Sequence, residues 1–198
     1  AFGRLPIGSG PFKLISAVPE AQIVFARNDA YNGPRPALAK DMIWSLIGDP
    51  TARVNALSSG TVMAIEDVPY IDAAAVAAVA TVEKAQSFGL LFAMFNTAAK
   101  PFDDLRVRQA FFYALDMDKI IGTGMLDNAE AATSFLPKTN PNYHEASTVY
   151  TYDPEKAKAL LAEAGTPTLD ITLMSTHHGW VADLAPIIKE SLDAVGFN

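Results

Sequence analysis

A single stretch, residues 88–116, constrains the fold of this chain more than any other part of it. Residues 88–95 form an apolar run whose length is typical of a buried strand. A short polar turn containing Pro101 follows, and Asp103 or Asp104 can then accept hydrogen bonds from the free N–H groups of a first helical turn. The sequence therefore predicts a strand, a turn and a helix in immediate succession.

The helix predicted after this turn has a single apolar face. Apolar residues recur there at helical spacing, at Val107, Ala110, Phe111, Ala114 and Leu115. Arg106 and Gln109 lie off that face, where a guanidinium and an amide can reach water. We expect the apolar face to pack in the core of a domain.

The part of the chain before residue 88 alternates between short strands and helices. Strands are predicted over residues 12–16, 22–27, 42–47 and 61–65, and an Ala-rich helix over residues 70–82. Before residue 61, Asp49 and Pro50 open a further helix, which Gly60 ends in a left-handed cap. From residue 42 to residue 95 the order is thus strand, helix, strand, helix, strand, which is typical of an α/β unit.

The part of the chain after residue 116 begins with a long loop. A short helix over residues 118–125 leads into residues 127–150, and a loop of that length is usually functional or lies across a surface. Asp153 then caps a helix that ends at Gly165. A strand over residues 169–174 and a last helix over residues 179–195 complete the chain; Pro186 predicts a kink in that helix or a start nearer Asp183.

Composition excludes several classes of function. Half of the 198 residues are hydrophobic and 19% are charged, which allows a packed core in a globular protein. The net charge of -7 argues against a nucleic-acid backbone or an anionic membrane surface as partner. The chain has no cysteine and therefore no disulfide and no thiolate metal site. We expect no cofactor and no metal.

Four segments resemble, in order, the motifs of one known family. Residues 8–14 (GSGPFKL), 49–60 (DPTARVNALSSG), 95–116 (FNTAAKPFDDLRVRQAFFYALD) and 152–165 (YDPEKAKALLAEAG) are similar to motifs of the family 5 extracellular solute-binding proteins. These proteins are the peptide-, dipeptide- and nickel-binding receptors of ABC importers. Because the four matches are spread over nearly the whole chain, we identify it as an internal fragment of such a receptor.

The resemblance implies a fold and a division into domains. The fold class is α/β, a fragment of a type II periplasmic-binding-protein-like structure with mixed sheets flanked by helices. Residues 1–86 belong to the first lobe, and residues 87–198 form the N-terminal part of the other lobe. The longer protein would carry its signal segment and the remaining parts of both lobes outside this sequence.

The resemblance also implies a function. The protein would be the extracytoplasmic substrate-binding component of an ABC importer, periplasmic or extracellular, with or without a membrane anchor. It would bind a peptide or a similar small solute between its two lobes and deliver it to the permease in the membrane. It would be neither an enzyme nor a partner of nucleic acid.

Two places in the sequence are candidates for the ligand site. In open α/β folds ligands bind at the carboxyl ends of strands, and residues 175–180 join a predicted strand to the last helix. The candidates there are Thr176, His177, His178 and Trp180. Phe92 and Met94 share one side of the predicted strand over residues 88–95 with Leu90, and that side could line a cleft.

Less specific explanations of both places remain open. Thr176 could simply cap the last helix while the two histidines face solvent, and the side chains of residues 88–95 could all belong to the core. Two other classes of function also remain open. One is a metal- or His-dependent hydrolytic enzyme that uses the His177/His178 loop, which would require an acidic or third His ligand nearby. The other is an interaction module without a small-molecule ligand.

Overall fold

The computed structural model of the chain describes residues 6–176 and 179–198. The chain divides into two units, Ala1–Val82 and Glu83–Asn198. The first unit contains a small sheet and short helices, whereas the second is built mainly from longer helices and irregular segments. The assignment of residues 1–86 and 87–198 to two different lobes stays a prediction.

The first unit contains a three-stranded antiparallel sheet. Its strands are β1 (Phe12–Val18), β2 (Gln22–Arg27) and β3 (Asp41–Ser45), paired in the order β1-β2-β3. Cross-strand side chains support the pairing, since the rings of Phe25 and Trp44 meet edge to face with centroids 5.4 Å apart. These strands confirm the predictions over residues 12–16, 22–27 and 42–47, apart from shifts of one or two residues at their ends.

The helix after this sheet forms as its capping residues predict. Helix α1 spans Pro50–Ser58, and Asp49 Oδ1 accepts a hydrogen bond of 2.7 Å from the backbone N–H of Ala52. Gly60 follows with φ +74°, the left-handed conformation that glycine adopts without strain.

Two predictions in the first unit are wrong. Residues 61–65 form no strand, because no other described segment pairs with their backbone. The Ala-rich helix over residues 70–82 is reduced to a 3₁₀ turn, Tyr70–Asp72, followed by α2 (Ala73–Ala77). Only Val76 of α2 is buried, and a short helix with so little packing is not stable beyond its buried turn.

The second unit begins its helical part with the predicted helix. Helix α3 spans Leu105–Ala114, and Asp104 Oδ1 accepts a hydrogen bond of 2.8 Å from the backbone N–H of Arg106. A short helix α4 (Met117–Lys119) continues as one π-helical turn, Ile120–Gly124.

Two further helices complete the second unit. Helix α5 spans Pro154–Glu163, with Asp153 Oδ1 accepting from the backbone N–H of Lys156 at 2.9 Å. Helix α6 spans Gly179–Asp193 and includes Pro186, so the alternative of a start near Asp183 is wrong.

The core of the second unit lies between α3, α5 and the end of α6. Its buried members are Val107, Ala110, Phe111, Ala114, Ala157, Leu161, Leu192, Val195 and Phe197. Phe111 meets Phe197 edge to face at 5.9 Å between ring centroids. The predicted apolar face of α3 is therefore confirmed, with Leu115 half-buried at its end.

Two predicted strands are absent from the second unit. Because residues 61–65 and 88–95 both form no strand, the α/β alternation predicted for residues 42–95 is absent as well. Residues 88–95 and 169–174 have irregular backbone, because a strand requires a neighbouring backbone and the described residues supply almost none. Leu169 forms one isolated parallel bridge with Phe197, supported by a hydrogen bond of 2.8 Å from Leu169 N–H to the Gly196 carbonyl.

No helix in the described ranges is long and apolar enough to cross a membrane.

Candidate functional site

The apolar segment at residues 88–95 places its side chains in two different environments. Ala93 and Phe95 pack against the core, where the Phe95 ring lies 5.1 Å from that of Phe111. Phe92 and Met94 are 56% and 85% exposed. Phe92 and Met94 therefore lie outside the core of the second unit, and their role in a ligand site stays a prediction.

The junction before α6 is only partly described. Thr176 is exposed, and Trp180, in the first turn of α6, is 43% exposed. The predicted site residues His177 and His178 lie outside the described residues. The core between α3, α5 and the end of α6 contains none of Phe92, Met94, Thr176 and Trp180.

A cavity of about 260 Å³ lies in the second unit, between residues 86–90 and residues 130–143. Its polar lining comes from Gln86, Glu130, Thr133, Lys138, Thr139 and Tyr143. Its apolar lining comes from Leu90, Ala131, Ala132, Leu136 and Pro137. Sequence reasoning identified the long loop as a functional candidate but none of these loop residues, because the cavity depends on two segments 40 residues or more apart. The length of the loop was the only signal of it.

Hydrogen bonds within the loop hold its lining residues in place. The hydroxyls of Thr133 and Tyr143 are 2.6 Å apart, and the Thr133 carbonyl accepts from the backbone N–H of Ala146 at 2.9 Å. A turn forms between them, in which the backbone N–H of Asn140 donates to the Pro137 carbonyl at 2.8 Å. The cavity is therefore bounded by a folded loop with internal bonds of its own.

The charged groups of the cavity form one ion pair. Lys138 Nζ lies 3.5 Å from Glu130 Oε2, and the two side chains are 57% and 63% exposed. An exposed pair at this distance contributes little to stability. Both groups thus remain free to exchange partners with a charged ligand.

Lys84 lies just before the cavity-lining residues 86–90 and contacts Asn128, at the start of the long loop over residues 127–150. Lys84 Nζ donates to Asn128 Oδ1 at 2.6 Å, and Asn128 Nδ2 donates to the Leu126 carbonyl at 2.7 Å. Leu126 and Asp127 have φ values of 46° and 57°, so this turn is held in a conformation that such residues rarely adopt. The bonds to Asn128 stabilise that turn.

The strongest pKa shift belongs to a helix cap. Two side-chain hydrogen bonds from Arg106 lower the pKa of Asp104 from 3.8 to about 2, and the carboxylate in turn raises the pKa of Arg106. The pair lies at the start of α3 and serves to fix that helix.

Two further shifts are also structural. A side-chain hydrogen bond from Arg27 lowers the pKa of Asp29, and the Nε–Oδ1 distance is 2.8 Å. Interaction with the Tyr113 hydroxyl raises the pKa of Lys156, whose Nζ lies 4.3 Å from the centre of the Tyr113 ring. Arg27 is thereby held against the turn that follows its own strand, and Lys156 against a residue of α3.

Metal binding finds no support in the described part of the chain. Within residues 6–176 and 179–198, no three His, Asp or Glu side chains come together in a way that could hold a metal ion. An accessible apolar segment and a cavity lined by both polar and apolar residues are features of sites that bind small molecules.

Comparison with known proteins gives a family match over the full sequence. The model described as "Bacterial extracellular solute-binding proteins, family 5 Middle" matches residues 1–198. The chain is 33% identical over 168 residues to the dipeptide-binding protein of Escherichia coli (strain K12). This match covers 81% of this chain and 30% of that protein. It is 35% identical over 164 residues to heme-binding protein A of Haemophilus influenzae, and this match covers 82% of this chain and 30% of that protein.

A solved structure is similar over almost all of the chain. It is an ABC transporter-associated periplasmic binding protein from Helicobacter pylori in complex with the peptide STSA. The TM-score is 0.78 at 28% identity, and the match covers 98% of this chain and 38% of that one. The chain thus spans about a third of the length of the relatives that it matches.

Proposed function

Because this chain belongs to the bacterial extracellular solute-binding proteins of family 5, we propose that it forms the middle part of the substrate-binding component of an ABC importer. The fold class is the predicted one, an α/β portion of a type II periplasmic binding protein. The observation that carries the proposal is the family match over residues 1–198, which agrees with the four motifs in the sequence.

The ligand that we propose is a peptide or a similar small solute. One relative is named as a dipeptide-binding protein, and the Helicobacter pylori protein was solved with a bound peptide. Phe92 and Met94 support the proposal from the geometry, because two large apolar side chains remain exposed beside residues that anchor the same segment in the core. Thr176, His177, His178 and Trp180 are the further residues proposed to face this ligand.

The proposed partner and location follow from the family. The complete protein would bind its solute between two lobes, close around it by a hinge motion and deliver it to a permease in the membrane. It would act in the periplasm or outside the cell, as the description of the family as extracellular suggests.

We propose a binding role and no catalysis. The relatives are named as binding proteins, and a hydrolytic site at His177 and His178 would need a third ligand or an acidic group close to them.

Native mass spectrometry of the full-length protein tests this proposal. The protein is purified under mild conditions, and its mass is compared with that after unfolding and refolding. A retained peptide in the mass range of a few residues supports a receptor. Turnover of added peptides without any retained ligand supports an enzyme and contradicts the proposal.

A further inference from the structure

The cavity between residues 86–90 and 130–143 combines two opposite charges with a lining that is partly polar and partly apolar. We propose that it is a binding site for a free α-amino acid with an apolar side chain. This site goes beyond the proposed peptide receptor, since its ligand has no peptide bond. The cavity is not lined by Phe92, Met94, Thr176 or Trp180, which are predicted for the peptide site.

The two charges match the two ends of such a zwitterion. Lys138 Nζ and Glu130 Oε2 are 3.5 Å apart, beyond the range of a short charge-assisted hydrogen bond. An α-amino acid carries its ammonium and its carboxylate on the same carbon atom, at a comparably short separation. Its carboxylate can therefore pair with Lys138 while its ammonium pairs with Glu130. Because the existing pair is exposed and weak, little is lost when the ligand replaces it.

The remaining lining suits an apolar side chain of small size. Leu90, Leu136 and Pro137 present hydrocarbon surface, and residues 131–132, both alanine, add two methyl groups. The volume of about 260 Å³ lies just under the range of roughly 300–1,000 Å³ for pockets that hold drug-sized ligands. A single amino acid such as leucine is therefore a better match in size than a longer peptide.

The loop needs little rearrangement to bind. The hydroxyl pair of Thr133 and Tyr143, at 2.6 Å, ties its two ends together, and the turn at Asn140 closes the segment between them. Ordering of a loop on binding costs free energy, and a loop already folded avoids most of that cost. The geometry thus provides a formed site with its charges at an accessible rim.

Calorimetric titration of the full-length protein with L-leucine tests this inference. We expect leucine to bind, and Lys138→Gln and Glu130→Gln each to raise its Kd at least tenfold. The matched control is Glu155→Gln, which removes the comparable exposed pair of Glu155 with Lys158, 2.9 Å apart, outside the cavity. The control should leave the Kd unchanged.

Leucine analogues provide a test that requires no variant. N-acetyl-leucine lacks the ammonium and leucinamide lacks the carboxylate, so each should bind the unmodified protein at least tenfold more weakly than leucine. The inference is overturned if leucine does not bind, if both variants bind it as the unmodified protein does, or if the analogues bind equally well.

A parallel titration with a dipeptide separates this inference from the proposed function. Binding of the dipeptide without binding of leucine overturns only the amino-acid site. Binding of leucine that depends on Lys138 and Glu130, without binding of any peptide, supports the site and contradicts the peptide receptor.

Discussion

The guanidinium of Arg106 joins the start of α3 to the end of α5, because its Nη1 donates a hydrogen bond of 2.6 Å to the backbone carbonyl of Glu163. Glu163 is the last residue of α5, where carbonyl groups lack helical partners and the helix dipole favours a cation. Asp104 holds Arg106 in this position through bonds of 3.1 Å to Nε and 2.6 Å to Nη2. One carboxylate therefore both caps α3 and orients the link to α5.

The lowered pKa of Asp104 predicts a specific loss of stability in acid. The folded-state pKa, about 2, lies below the unfolded value of 3.8, so the carboxylate stabilises the fold above pH 3.8. This contribution should disappear as the pH falls from 3.8 to about 2. Asp104→Asn cannot ionise and should be less stable than the unmodified protein at pH 5, with the difference shrinking toward pH 2.

Urea unfolding of the full-length protein at several pH values measures this difference. Asp103→Asn is the matched control, since Asp103 adjoins the cap but forms no ion pair with Arg106 in the described structure. A stability difference for Asp104→Asn that stays constant from pH 5 to pH 2 would show that the pair does not act as described.

The buried face of α3 predicts large effects of truncation. Phe111 is buried among aromatic and aliphatic neighbours, and Phe111→Ala should lower the free energy of unfolding by about 3–5 kcal/mol. Leu115 is half-buried, and Leu115→Ala should cost about 2 kcal/mol. Leu105→Ala, on the exposed side of the same helix, is the control and should change stability by less than about 0.5 kcal/mol. Equal effects at Phe111 and Leu105 would contradict the assignment of the faces.

A close approach in the π-helical turn leaves little room for a side chain at Gly124. A Cβ atom at this position would collide with Leu184 Cδ2 and lie 3.1 Å from Ile187 Cδ1, and Leu184 is buried. Gly124→Ala should therefore cost about 1–3 kcal/mol through overpacking.

Gly122 provides the control for this substitution, two residues earlier in the same turn. A Cβ atom there would meet Asp127 Oδ1 at 3.7 Å, an ordinary contact. Gly122→Ala should be neutral or stabilising by up to about 1 kcal/mol, since alanine favours helical backbone. Thermal unfolding of both variants measures the difference in stability, and equal melting temperatures would contradict the close approach at Gly124.

Helix ends could be predicted from the sequence because they depend on neighbours in the chain. Asp49, Asp104 and Asp153 each accept the predicted bond from a backbone N–H two or three residues later. Gly60 takes up the left-handed conformation predicted for it, with φ 74°, and Gly165, predicted to end its helix, has φ 77°. Such interactions require no knowledge of the rest of the fold.

Strands and the cavity could not be predicted in the same way. A strand depends on a second backbone that lies elsewhere in the chain. Residues 88–95 are apolar and residues 169–174 alternate in polarity, but neither segment has such a neighbour among the described strands. The cavity depends on Leu90 approaching residues 130–143, a contact for which no local pattern exists. The residue types at both places were visible, but their spatial relationship was not.

The predicted peptide site leads to a test at the start of α6. Trp180→Ala, or the double change of His177 and His178 to alanine, should weaken peptide binding by the full-length protein while leaving its folding nearly intact. Trp180 offers a large flat surface that is 43% exposed, and histidines offer hydrogen-bond donors. Trp44→Ala, in the first unit and 54% exposed, is the matched control for the loss of an indole. A slightly lower melting temperature with unchanged affinity in both variants would instead identify the segment as a solvated helix start.

Calorimetric titration of the full-length protein with a panel of dipeptides tests the central claim most directly. We expect that at least one dipeptide binds with a stoichiometry of one per protein and is recovered intact from the complex by mass spectrometry. If no peptide binds, or if every bound peptide is recovered cleaved, the protein is not a peptide receptor of an importer.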